Sequence, residues 1–118
     1  MKSIDFLKEN GVDVDAGIEI LGDIEMYNET LSDFLDVSSE RLPKLEESRQ
    51  KGDMKNYAIE VHAMKGDSKY LGFTKLASIS LEHQLKSEEN DVNYVNEHYD
   101  ELMEEANRII DIVTTYLQ

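Results

Sequence analysis

The chain contains no cysteine. That closes off both a disulfide framework and a thiolate metal site. It has a single proline, Pro43, and no stretch in which β-branched residues alternate strictly with polar ones. Sheet architectures are therefore not expected. No apolar run approaches the roughly 18 residues of a membrane span. Met1 to Asn10 mix polar and apolar types without the apolar stretch of a signal peptide. A cytoplasmic protein without membrane attachment is the expectation. Positive charge is also scarce: 12 Lys and Arg face 26 Asp and Glu, a formal net charge of −14. Such a chain is repelled by nucleic-acid phosphates and by anionic lipid, so neither is an expected partner. There is no G-x-x-x-x-G-K-[ST] loop, so an autonomous kinase with its own ATP site is excluded. The residues three before each histidine are Ile59, Ser80 and Val95, and none is a carboxylate. The Glu-x-x-His pairs of carboxylate-bridged di-iron bundles are thus missing as well.

Apolar residues recur at intervals of three and four, which predicts an all-α chain. A length of 118 residues predicts one domain spanning residues 1–118. A short helix is expected from Asp15 to about Leu21, stopped by Gly22. Asp23 is placed to cap a long helix through Tyr27, Leu31, Phe34 and Leu45, ending near Gly52. Pro43 falls inside that helix and should kink or split it. Asp53 is placed to cap the next, with a buried stripe of Tyr57, Val61, Met64, Ser68 and Leu71 and a stop at Gly72. Thr74 opens a helix through Leu76, Ile79, Leu81 and Leu85, and residues 87–91 are expected as a loop. The last helix carries Val95, Tyr99, Leu102, Ala106, Ile109 and Val113. The predicted architecture is an antiparallel four-helix bundle with a short additional N-terminal helix.

One stretch stands apart: His62-Ala63-Met64-Lys65-Gly66-Asp67-Ser68-Lys69-Tyr70-Leu71-Gly72. On a helical wheel His62 points away from the core stripe. Lys55, Ala58, Ile59, Lys65, Gly66, Lys69 and Phe73 all fall within about 60° of it at 100° per residue. Residues 51–75 are also the only locally basic part of the chain, with five lysines against three carboxylates. A site for an anion or an acidic partner would look like this.

The pattern H-x-x-K-G-x-S-x-x-L-G resembles the phosphoacceptor helix of histidine phosphotransfer (HPt) domains. The resemblance extends over nearly the whole chain, through Asn10-Gly11-Val12-Asp13, Leu21-Gly22-Asp23, Gly52-Asp53 and Asn90-Asp91. It implies a relay protein of two-component phosphorelays, not an enzyme with kinase activity. The phosphoryl acceptor would be His62, with Lys65 stabilising the phosphoryl charge and Gly66 leaving room for an incoming active site. A neutral imidazole needs no base to attack a phosphoryl group, which suits such a role. Expected partners are response-regulator receiver domains, a hybrid histidine kinase, or both. Those partners would dock on Lys55, Ala58, Ile59, Lys69 and Phe73. No cofactor is expected on this chain, and the required Mg²⁺ would belong to the receiver. Exposed Met and Ile are too few to argue for a dimer, so a monomer is expected.

Two residues depart from this picture. His83 sits on the core-edge stripe of its helix, where a leucine is common in the family. The expectation is a half-buried histidine bonded across to the last helix, with a second phosphoacceptor the lesser alternative. His98, among Glu97, Asp100 and Glu101, is expected to be solvated. The alternative function is a phosphate-independent acidic helical adaptor, or a degenerate HPt domain that binds receivers without accepting phosphate.

Overall fold

Three aspartates set the frame. Asp23, Asp53 and Asp91 each accept a hydrogen bond from the backbone N–H three residues on, at 2.9, 3.2 and 3.0 Å. Each opens a long helix by satisfying an N–H that the helix itself leaves unpaired. In a computed structural model describing residues 1–118, the helices are α1 (Ile4–Glu9), α2 (Val14–Leu21), α3 (Ile24–Lys51), α4 (Met54–Leu71), α5 (Thr74–Glu88) and α6 (Val92–Leu117). There are no strands, and no helix is long and apolar enough to cross a membrane. Connections of two or three residues turn each long helix back along its predecessor, and α3 also packs on α6 to close the bundle. At about 1.5 Å per residue α3 alone accounts for the long dimension of a body measuring 41 × 23 × 20 Å.

The core is a continuous stack of Tyr27, Leu31, Phe34 and Leu45 from α3, Tyr57, Val61, Met64 and Leu71 from α4, and Val95, Leu102, Ile109 and Val113 from α6. The stripe expected on α4, Ser68 included, is buried throughout.

Four expectations are corrected. A second short N-terminal helix, α1, precedes α2. It is held from a distance: the Lys2 N–H donates to the Tyr116 carbonyl, and Arg108 donates to the carbonyl of Asn10. Pro43 does not split α3, which runs unbroken from Ile24 to Lys51. Pro43 is exposed, so the carbonyl left without its helical partner is not sealed in the core. Helix α5 extends to Glu88, so the loop shrinks to Glu89–Asp91, with Asn90 at a φ of 60°. The buried face of α5 is Leu76, Ser80, His83 and Ser87, while Leu81 and Leu85 are exposed. Small side chains there allow α5 to lie close on α4, its most extensive neighbour.

The N-terminal helices are fastened to the end of α4 at one point. Gly72 has a φ of 83°, and its carbonyl accepts from the Asp13 N–H at 2.9 Å. A Cβ at Gly72 would collide with the Asp13 carbonyl group. Beside it, the Tyr27 hydroxyl donates to the Leu71 carbonyl at 2.7 Å. Gly72→Ala is therefore expected to cost about 2 kcal/mol or more, from positive φ and collision together. Gly66→Ala should stay within about 1 kcal/mol of wild type or gain stability, because Gly66 is mid-helix and a Cβ there meets nothing within 4 Å. Urea unfolding of both variants checks this, and equal stabilities would contradict the role given to Gly72.

Candidate functional site

Helix α4 carries His62 on its outer face, one position along from buried Val61. The imidazole is exposed but not free: its Nδ1 lies 3.1 Å from Oε1 of Gln84 on α5. An amide oxygen only accepts, so Nδ1 carries the hydrogen and Nε2 keeps its lone pair. The ring is thereby held at one edge, with its nucleophilic nitrogen at the other. Ala58, Ile59, Gln84 and Glu88 complete an open groove around it.

The remaining expected residues fall into three groups. Lys65 is half-buried and Lys69 exposed, and together they line a groove of about 410 Å³ between α4, α5 and the start of α2, lined also by Asp13, Ala16, Ala77 and Leu81. Lys55 is exposed one and a half to two turns before His62, and none of these three lysines forms an ion pair. Their charge is available to an incoming anion. Gly66 opens onto empty space, since a Cβ built there would touch nothing. Ala58 is half-buried and Ile59 exposed beside the histidine.

Phe73 is the exception. It is 1% exposed and packs edge-on against Phe34, with ring centroids 5.1 Å apart. It cannot belong to a docking surface. The left-handed turn at Gly72 redirects the chain, so the helical wheel that placed Phe73 beside His62 no longer applies. Ser68 is buried, and its hydroxyl finds no hydrogen-bond partner. Gln84, Glu88 and Leu81 are the neighbours that sequence reading missed. They lie on another helix, and only the packing of α5 on α4 brings them to the site.

His83, the residue before Gln84, points the opposite way. It is 1% exposed. The Tyr57 hydroxyl donates to its Nδ1 at 2.8 Å, and its Nε2–H donates to the His98 carbonyl at 3.1 Å. Both nitrogens are occupied in a neutral ring, which leaves no nucleophile. The bond to the last helix is as expected, but the burial is complete. Desolvation pushes its pKa down to about 4, opposed only weakly by the His98 carbonyl and Glu101. His98 itself is half-buried, stacked on Tyr94 and 3.6 Å from Glu101.

No group of three or more metal-type ligands converges anywhere in the molecule. Compared with known proteins, the chain matches the family model of the Hpt domain over residues 29–111, well over half its length. No curated protein and no solved structure matches it.

The buried imidazole has a consequence for acid stability. Its folded pKa lies below the ordinary value of 6.5, so the unfolded chain binds the proton first. The stability that neutral His83 contributes is complete above about pH 6.5 and is lost as pH falls towards 4. The lowering from 6.5 to about 4 corresponds to roughly 3 kcal/mol. Urea unfolding at pH 7 and pH 5 should show roughly half of this loss, and His83→Leu should flatten it. An unchanged pH slope in the variant would refute the assignment.

Proposed function

The chain belongs to the Hpt domain family, and on that premise we propose that His62 receives a phosphoryl group from a receiver-domain aspartate and passes it to another. The single observation that carries this is the exposed imidazole with Nδ1 turned to Gln84. In the forward step the Nε2 lone pair attacks the phosphorus of an aspartyl phosphate. The Nε2–P bond forms, the P–O bond to the aspartyl carboxyl breaks, and the carboxylate departs with the bonding pair. Nδ1 retains its hydrogen throughout, so no base is needed and the product is a phosphoimidazolium. Gln84 Oε1 accepts from that Nδ1–H and favours the positive ring. The reverse step returns the phosphoryl group to a carboxylate.

Lys65 and Lys69 supply positive charge beside the group in transit. The missing side chain at Gly66 admits the carboxylate cluster of the partner. Mg²⁺ comes with the receiver and is bound by its carboxylates. Docking rests on Ile59 and Ala58 beside the histidine, with Lys55 and Lys69 attracting an acidic active site. Leu81 takes the place first given to Phe73, as an exposed apolar residue on the lysine-lined groove.

Incubation of the chain with phosphorylated receiver domains at neutral pH tests the reading. Intact mass should rise by one phosphoryl group on wild type and not on His62→Gln. Label that persists in the variant, or a folded wild type that takes none from several receivers, would remove His62 from the scheme.

Gln84 has its own test. Phosphorus–nitrogen coupling in NMR should place the phosphoryl group on Nε2. Gln84→Leu, which loses one hydrogen bond worth about 1 kcal/mol, should slow transfer roughly five- to tenfold. Phosphate on Nδ1 of wild type would overturn the orientation argued from Gln84.

A further inference from the structure

From Glu9 to Glu40 the chain has ten Asp and Glu residues and not one Lys or Arg. This segment forms α2 and the first half of α3. None of the α3 carboxylates Glu25, Glu29, Asp33, Asp36 and Glu40 forms an ion pair. Their field is not neutralised within the molecule.

The same segment holds unburied apolar surface at Val37, which faces exposed Tyr70 of α4 across a groove of about 320 Å³ lined also by Leu21, buried Phe34, Asp33 and Asp67. Tyr70 is 53% exposed and Val37 39%. Asp67 is held by Arg41 at 2.9 Å, so Asp33 is the carboxylate free to meet a cation. The groove lies on the flank of α4 away from Lys65 and Lys69, and it shares no lining residue with the surroundings of His62. Val37 and Tyr70 leave apolar surface open to a partner along this groove.

We propose that this groove docks a basic amphipathic helix of another protein. The groove runs along α3 from Thr30 to Val37, a span of about 10 Å at 1.5 Å per residue. Apolar residues at i, i+3 or i+4, and i+7 of a partner helix match that span. Lysine or arginine beside those anchors would meet Asp33, Asp36 and Glu40. An acidic partner is repelled here, and so is a second copy of a chain carrying −14. The groove shares no lining residue with the surroundings of His62 and is drawn to the opposite sign of charge, although its Val37 end borders Ile59 across a neighbouring cleft.

The test uses amphipathic leucine–lysine peptides of about 18 residues in three anchor spacings, each beside a scrambled peptide of equal composition. Binding is followed by amide chemical shifts on the whole chain. For at least one spacing, shifts should concentrate at Leu21, Thr30 to Val37 and Tyr70. The scrambled control should bind about tenfold more weakly or worse, and Val37→Lys with Tyr70→Lys should weaken binding by a similar factor. Both side chains are exposed, so these variants fold, as their unchanged spectra away from the groove would show. Scrambled and amphipathic peptides binding alike would reduce the effect to unspecific charge attraction and overturn the proposal. So would shifts centred elsewhere, or no binding at low salt. Because nothing in the readout involves phosphate, failure here is separable from failure at His62.

Discussion

Everything at the histidine face depends on the register between α4 and α5. Gln84 meets the exposed imidazole only if α5 lies at one height and one rotation against α4. That placement is fixed from the other side of the same helix turn. His83 is tied to Tyr57 of α4 by one nitrogen and to the backbone of α6 by the other. Sliding α5 by a residue would break both bonds inside the core and leave buried polar groups unpaired, at about 1–3 kcal/mol each. Adjacent residues thus divide the work: one locks three helices together and the next holds the exposed ring of His62 at one edge. The polar core at His83 specifies position in a way that a leucine could not.

The lysines around His62 and the vacancy at Gly66 belong to the same construction. Helix α4 is amphipathic in an unusual sense, with a fully buried stripe and an outer face kept open by a glycine and left without ion pairs. Each of these choices forgoes some stability: a helix-interior glycine weakens the helix by about 0.5–1 kcal/mol, and unpaired lysines give up local ion pairs of a few tenths each. The compensation lies in the long caps and in the continuous core beneath. A rigid platform permits a surface that is optimised for meeting another molecule.

Much of this was legible in the sequence because it is local. Asp23 and Asp53 announce their helices, and the spacing of Tyr57, Val61, Met64, Ser68 and Leu71 identifies the buried side of α4 and so the outward face of His62. The misreadings have non-local causes. Helix α1 is six residues long and is held by Tyr116 and Arg108, far away in the chain. The split expected at Pro43 does not occur, because the residue is exposed and the helix on both sides is held by its buried stripe. Phe73 was assigned to the outer face by continuing a wheel past the helix end, where the left-handed turn at Gly72 sends it inward. Gln84 carried no signal at all, since a glutamine on an exposed helix gains meaning only from what stands opposite.

Charge is unevenly distributed along this anionic chain. Unpaired lysines flank His62, while thirty-two consecutive residues, 9–40, carry carboxylates alone. In the field of a charged partner such a body feels a torque before it feels contact. It rotates as it approaches, within the screening length of about 8 Å at physiological salt. Part of the orientational search that slows protein association is then completed during the approach. Which side arrives first depends on the sign of the visitor.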